Sequence, residues 1–291
     1  MRILVTGSNG QVGFELCRIA EKSEHEWLCL DRSGLDITSE VEVDKVVTRF
    51  KPNIVINAAA YTAVDKAETE KNIALSVNAY GPMYLAQACQ RVGAALLHIS
   101  TDYVFSGNSD KPYSEDDDVE PTGHYGVSKL KGEHLVAEYC ERHIILRTSW
   151  VFGVHGNNFV KTMLRLSKDL NTISVVADQY GAPTSAKGIA RTLVFIISQI
   201  KEKEIDWGIY HYSGFPYTTW YGFAKKIFDD AYKSGLIEKQ MIVKAIKTID
   251  YPTPAKRPAN SRLDNTKISQ NFSILPDNWK SNIKQSIKQF I

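Results

Sequence analysis

Residues 2–20 read Arg2-Ile3-Leu4-Val5-Thr6, then Gly7-Ser8-Asn9-Gly10-Gln11-Val12-Gly13, then Phe14-Glu15-Leu16-Cys17-Arg18-Ile19-Ala20. The first run is short and β-rich, the last has helical character, and glycines at three-residue spacing join them. Glycines placed so allow a tight turn, let a pyrophosphate approach the backbone, and pack the helix close to the sheet. The free amides at the helix N-terminus then face the phosphate. The stretch predicts a strand, a phosphate-binding turn and a helix at the start of an α/β fold.

Working outward, a second strand, Trp27–Leu30, ends at Asp31, at the spacing expected of an acid that binds an adenosine ribose. Arg32 follows and could instead pair with a 2′-phosphate, so NADH and NADPH both stay open. Ser39-Glu40-Val41-Glu42 predicts a capping box for a helix ending near Phe50. Lys51-Pro52-Asn53 breaks that helix, and Ile54-Val55-Ile56 is a third strand. It runs into Asn57, then Ala58, Ala59, Ala60 and Tyr61, whose small side chains let the backbone lie close to a cofactor. Asp65, Lys66, Glu68 and Glu70 start a helical region that reaches Val92, with an interruption near Gly81-Pro82. Asn78 within it is either a bridge between backbone groups or a solvated residue. Leu96–Ile99 and Ile144–Leu146 are the fourth and fifth strands. Strand and helix alternate throughout, which predicts an α/β, Rossmann-like, doubly wound parallel sheet. Ligands bind such sheets outside the carboxyl ends of the strands, where Gly7, Asp31, Ala58–Tyr61, Thr101 and Trp150 fall.

The chemistry concentrates between Ser100 and Lys129. Thr101 and Asp102 emerge from the fourth strand, and Tyr125-Gly126-Val127-Ser128-Lys129 opens a helix. Tyr125 and Lys129 share a helical face, separated by about 6 Å of rise. A free tyrosine, with a pKa near about 10, exchanges protons poorly at neutral pH. An ammonium within about 4–6 Å favours phenolate and lowers that value by ~1–3 units, closer to where acid–base catalysis works best. Thr101 could hydrogen-bond the same substrate oxygen. Tyr221 and Lys225 repeat the spacing, but Phe223, Ile227 and Phe228 mark an ordinary packing helix, so Tyr221 reads as structural.

Composition sets bounds. With 291 residues and a formal net charge of +2, nothing favours nucleic acid or an anionic membrane as partner. A chain of this size buries roughly three-quarters of its unfolded surface, so a core needs neither disulfide nor metal. Cys17, Cys29, Cys89 and Cys140 form no Cys-x-x-Cys pair and read as reduced thiols. No apolar run approaches the ~18 residues of a membrane span, and the opening strand lacks the flanks of a signal peptide, so the expected location is cytoplasmic. Beyond Trp150, helices are expected at Asn157–Lys168, Ala186–Ile200 and Thr219–Ala231, with strands at Ile173–Val176 and Ile209–Ser213. Tyr251–Pro258 is extended by its prolines, and its basic residues could meet a diphosphate.

Taken together, Gly7–Gly13, Asn57–Glu68, Ser100–Phe105, Tyr125–Lys129, Arg147–Trp150, Gly156–Leu166, Asp178–Thr184 and Tyr251–Arg262 resemble the extended short-chain dehydrogenase/reductase superfamily, and within it the reductases of dTDP-linked 4-keto-6-deoxy sugars. The resemblance covers nearly the whole chain in order. It implies a nicotinamide-binding Rossmann domain over 1–150, to which parts of 178–213 could return, and a mainly substrate-binding lobe over 151–291. Thr101, Tyr125 and Lys129 are implied as the catalytic set. Gly7, Gly10, Gln11, Val12, Asp31, Arg32, Asp36, Ile37, Ala58, Ala59, Ala60 and Tyr61 are implied at NADPH or NADH, with Tyr125 and Lys129. Val64, Asp65, Thr101, Asp102, Trp150 and Arg257 are implied at the sugar nucleotide. Some members are joined as dimers through magnesium held by glutamates. Glu15 matches one such position, but Lys187 stands where another glutamate is expected and no glutamate follows Leu275. A lysine repels a hard cation, so no magnesium bridge is expected and a homodimer is left open. Related dehydratases place Asp-Glu after the threonine, whereas Asp102 precedes Tyr103 here, which favours reduction. The regulatory β subunit of methionine adenosyltransferase is a non-catalytic relative; the intact Thr101, Tyr125 and Lys129 argue against that reading.

Overall fold

Six short, largely apolar runs become the strands of one parallel sheet in the computed structural model, which describes residues 1–202 and 204–289. They are β1 (Arg2–Thr6), β2 (Glu26–Leu30), β3 (Ile54–Asn57), β4 (Ala95–Thr101), β5 (His143–Thr148) and β6 (Gly208–His211). Their order across the sheet is β2-β1-β3-β4-β5-β6. Strands covered on both faces need apolar side chains on both, and β3 is buried at all four positions.

Helices supply the covers. On one face α1 (Gln11–Ala20) and α5 (Ala186–Glu202) set Leu16, Ile189 and Leu193 against Ile3, Val5 and Leu97. On the other, α2 (Glu40–Phe50), α3 (Gly81–Val92) and α4 (His124–Tyr139) set Val43, Leu85 and Val136 against Leu4, Val55 and Leu96. The sheet is therefore doubly wound, as its alternating sequence predicts. A third core lies apart from it. Phe152, Val160, Phe223, Ile227, Trp279 and Ile283 meet there, on helices Phe159–Leu166, Trp220–Lys233 and Trp279–Ile287 and the short strand Val151–Phe152 before them. The later half of the chain thus builds its own cluster while α5 and β6 return to the first sheet.

Three local readings need correction. The helical region before Val92 is interrupted by a π-helical turn at Ser76–Tyr80, ahead of Gly81-Pro82. Pro82 sits in the first turn of α3, where its missing N–H costs nothing. The capping box at α2 is half formed: the Ser39 hydroxyl accepts from the Glu42 N–H, but the Glu42 carboxylate receives the Asp36 N–H. The last expected strand ends at His211, and beyond it the Ser213 N–H donates to Asn265 Oδ1 at 2.8 Å instead of to a neighbouring strand.

β1 neighbours β2 on one side and β3 on the other, so the chain runs outward in both directions from that pair. At such a switch point a crevice opens beyond the carboxyl ends of the strands. In register across it stand Thr6 opposite Asn57, Asn57 opposite His98, and Thr101 opposite Thr148.

Candidate active site

Two loops form the floor of the crevice. Gly7 has φ +70°, and a Cβ there would lie 2.5 Å from the Ala59 backbone nitrogen. A Cβ on Gly13 would overlap the Gly7 carbonyl. The loop after β1 and the loop after β3 are pressed together in a way only glycine permits. Helix α1 starts at Gln11 without any side-chain cap, so its first amides are open to an anion. Gly10, Gln11, Val12, Ala58, Ala59 and Ala60 line a cleft of about 540 Å³, a size typical of ligand sites (roughly 300–1,000 Å³). Its shape and amide-rich floor fit a dinucleotide.

The far wall of the same cleft carries Thr101, Asp102, Tyr125, Lys129 and Trp150. Tyr125 is 9% exposed. Burial pushes its phenol above the usual tyrosine range, and the adjacent Thr101 hydroxyl offsets part of that. Tyr103 stands edge-on to it, ring centroids 5.4 Å apart. The Thr101 hydroxyl donates to Asp102 Oδ1 at 3.1 Å and accepts from the Tyr103 N–H at 3.2 Å. Asp102 is 3% exposed and its Oδ2 has no partner. Burial pushes its carboxyl up to about 6, against opposing hydrogen bonds from Ser261 and Thr101. Trp150 adopts φ +48°, rare for a bulky residue, and stacks on Trp220 at 3.7 Å.

Lys129 is fully buried and does not extend toward solvent. Its Nζ lies 3.2 Å from His98 Nε2 and donates to the Ile99 carbonyl at 2.7 Å. Burial lowers it to about 8, opposed by Glu133. The spacing on α4 predicts an ammonium that depresses Tyr125; the structure instead shows the phenol raised, with burial the largest cause. Behind Lys129, Glu133 forms a buried ion pair with Arg147, at 2.7 Å and with both side chains nearly inaccessible.

Other expected residues are placed around this centre. Asp31 follows β2 with its carboxylate accepting from Asn9 Nδ2 at 2.6 Å and from Ser33; the Ser33 hydroxyl and the Gly34 N–H hold it below the usual carboxylate range. Arg32 is exposed and faces Asp36 at 3.6 Å, and Ile37 is buried beneath Gly81. Val64 is on the cleft wall. The Tyr61 hydroxyl donates to Glu70 at 2.6 Å, away from the lining. The Tyr61 peptide is held instead by the fully buried Asn78 side chain, which also donates to Ser128. Asn78 is therefore a bridge. Arg257 lines a second cleft beside the first and donates to Asp65 at 2.6 Å, with Tyr103 at 3.5 Å. Among the lining residues, Thr148 and Ser149 were not singled out from sequence, nor was His98 behind Lys129. A histidine inside an otherwise aliphatic strand was the available signal for the last.

The glutamate-held magnesium of some relatives does not fit these residues. Glu15 faces Arg18 at 3.6 Å, and Lys187 borders the same small cleft. One carboxylate between two cations is a poor site for a hard dication.

Comparison with known proteins agrees over the full length. The family profile described as RmlD substrate binding domain matches residues 1–291. A dTDP-4-dehydrorhamnose reductase of Aggregatibacter actinomycetemcomitans is 50% identical over 285 residues, covering 97% of each chain. The crystal structure of a dTDP-4-dehydrorhamnose reductase from Clostridium acetobutylicum superposes with a TM-score of 0.92 at 39% identity, covering 100% of this chain and 99% of that one. The Bacillus anthracis enzyme of the same name, solved in complex with NADP, gives 0.89 at 37% identity and 99% coverage of both. The match spans the whole chain, and the chain belongs to the RmlD substrate binding domain family.

Proposed function

We propose that this chain is a dTDP-4-dehydrorhamnose reductase, reducing the C4 keto group of dTDP-4-dehydro-6-deoxy-L-mannose to give dTDP-L-rhamnose. The observation that carries the reading is one cleft holding both the open α1 N-terminus with its glycine cradle and the buried Tyr125 phenol beside Thr101. In its support, a relative 50% identical along its length carries that name.

Bound NADPH or NADH supplies the hydride. Gly10, Gln11, Val12 and Ala58–Ala60 would hold its diphosphate, Asp31 or Arg32 its adenosine ribose, and Lys129 the ribose next to the reacting ring. Tyr125 and Thr101 would bracket the keto oxygen, and Tyr125 would give it the proton as charge develops there. Trp150 and Val64 would wall the sugar. Arg257 would leave Asp65 for the substrate diphosphate, whose two charges make the stronger partner. On this reading residues 1–150, joined by the returning α5 and β6, hold the cofactor, and most of 151–291 holds the sugar nucleotide. Sugar dehydration is disfavoured because, among the described residues lining the cleft, Asp102 is the one carboxylate.

The test is consumption of nicotinamide absorbance with dTDP-4-dehydrorhamnose, run with both cofactors and against a GDP-linked 4-keto sugar. Turnover is expected with the dTDP sugar. Tight binding of the nucleotide without turnover would point instead to a non-catalytic binding protein.

A further inference from the structure

Four hydroxyls stand where β4 and β5 run out into the cleft, on Ser100, Thr101, Thr148 and Ser149. Two are committed within the protein. Thr101 donates to Asp102 Oδ1 and accepts from the Tyr103 N–H, and Ser149 donates to the Ala182 carbonyl at 3.2 Å. Ser100 and Thr148 are 3% and 4% exposed, and neither hydroxyl oxygen has a partner among the described residues. A buried polar group left so costs stability. At a cleft wall it marks a bond that a ligand can complete.

The two orphans lie on opposite faces of the sheet, because side chains alternate along a strand. On β4, Leu96 packs in the core under α4 and His98 meets Lys129 of that helix, so Ser100 faces α4. On β5, Ile144 and Leu146 pack in one core with Val12 and Leu16 of α1, so Thr148 is on the α1 face. It stands in register beside Thr101. Two residues on, the chain turns left-handed at Trp150, whose ring lies on Trp220 at 3.7 Å. The segment thus gives Trp150 to the aromatic wall of the third core and Thr148 to the side of the sheet from which α1 presents its open N-terminus.

β5 is three strands away from β1, roughly 14 Å across the sheet. A diphosphate seated on α1 does not extend so far, whereas the nicotinamide nucleoside has to run toward β4 and β5 for its ring to meet Tyr125. The ring nitrogen is spent in the bond to ribose, which leaves the carboxamide as the ring's hydrogen-bonding group. A carboxamide carries one acceptor and two donors, and a hydroxyl can answer either. We infer that Thr148 Oγ1 hydrogen-bonds the carboxamide of the bound nicotinamide and so fixes which face of the ring is turned to the sugar. The assignment rests on the reductase reading above and adds to it a residue that orients the hydride donor.

The experiment measures binding in the absence of sugar, by NADPH fluorescence and by displacement with 2′-phospho-ADP-ribose, the same molecule without its nicotinamide. Thr148→Val keeps the shape of the side chain and removes the hydroxyl. Its dissociation constant for NADPH should rise about 5-fold, the worth of one neutral hydrogen bond, with that for the fragment unchanged. Thr148→Ser restores a hydroxyl and should bind both molecules as the parent does. In urea the cofactor-free Thr148→Val protein should unfold no earlier than the parent, because the hydroxyl it loses has no protein partner. Equal weakening of NADPH and fragment, no change in either, or earlier unfolding of the cofactor-free variant overturns the proposal. So does a variant that binds NADPH normally but needs more sugar nucleotide for half its maximal rate, which would assign the hydroxyl to the sugar. The binding comparison needs no turnover, so it succeeds or fails separately from the assay of the reductase itself.

Discussion

Two helices carry a tyrosine four residues before a lysine, and they do unlike things. On α4, Tyr125 and Lys129 are buried against β4 and face the cleft. On the helix Trp220–Lys233, Tyr221 is only half-buried, and Lys225 lies over its ring at 5.6 Å. The inner face of that helix is Phe223, Ala224, Ile227 and Phe228, packed into the third core. Spacing therefore brings two side chains onto one face and says nothing of what the face meets. The difference lies in the neighbours: α4 packs on strands that end at the switch point, and its companion packs into the third core, on helices and short strands away from the cleft.

The largest contrast expected is in stability. α4 holds Glu133 in a buried pair with Arg147, and the second helix holds Lys226 against Asp230 at 2.6 Å with Lys226 partly exposed. Glu133→Ala strands a buried guanidinium and is expected to cost about 3–5 kcal/mol. Lys226→Ala leaves the buried Asp230 facing the opening where the partly exposed ammonium stood, so water reaches it and the loss should be smaller, about 1–2 kcal/mol. Urea unfolding of the two variants makes the check; equal losses would mean that the polar groups behind α4 are no more demanding than a half-exposed pair.

A pH signature should accompany the cleft. The Asp102 carboxyl is raised by burial from 3.8 to about 6. As pH rises through that window the unfolded chain gives up this proton first, so it binds fewer protons than the folded state and stability falls. The contribution is complete below the unfolded value and gone above the folded one. Its size is about 3 kcal/mol for a shift of roughly two units. Unfolding midpoints for parent and Asp102→Asn between about pH 4 and pH 7 should converge toward the acid end and separate toward neutrality, with the variant the more stable. Parallel curves would place Asp102 in contact with solvent.

In rate, Tyr125→Phe should lose at least ~100-fold while binding cofactor as before. Tyr221→Phe, on the identical spacing, should stay within about twofold, as substitutions away from the site do. Steady-state assays of both variants decide it, and near-normal activity of Tyr125→Phe would move the acid elsewhere.

Much of this was legible in the sequence because it is local. Gly7, Gly10 and Gly13 fix a turn by their own geometry, and alternating strands and helices fix a parallel sheet. The Tyr125–Lys129 face follows from helical pitch. What was not legible depends on pairs that no spacing encodes. His98 meets Asn57 only because β3 and β4 lie side by side in one register. Arg257 reaches Asp65 across 192 residues of chain. The π-helical turn at Ser76–Tyr80 leaves the apolar pattern nearly helical, and its purpose appears only when Asn78 is seen holding the Tyr61 peptide. Lys129 shows the limit best: the sequence places it near Tyr125, and only the packing of α4 on β4 shows its amine reaching His98 and the Ile99 carbonyl.

The smallest effect tests how far the two helices are separate. Trp220, the first residue of the packing helix, stacks on Trp150 at 3.7 Å and 14° between planes, and touches Phe159 at 4.6 Å. Trp150 holds a left-handed backbone, φ +48°, which costs about 1–3 kcal/mol and persists only where neighbours enforce it. The helix without chemistry thus braces one wall of the cleft. Trp220→Leu keeps an apolar contact but removes the flat ring, and an aromatic pair is worth roughly 0.5–1.5 kcal/mol beyond its buried area. The Michaelis constant for the sugar nucleotide should rise about 5- to 10-fold, the upper part of that range, with kcat within about twofold. That split is what a loosened wall produces, since binding weakens equally in ground and transition states. A fall in kcat at constant Michaelis constant would instead put Trp150 on the reacting atoms, and the packing helix would then belong to the catalytic apparatus through Trp220.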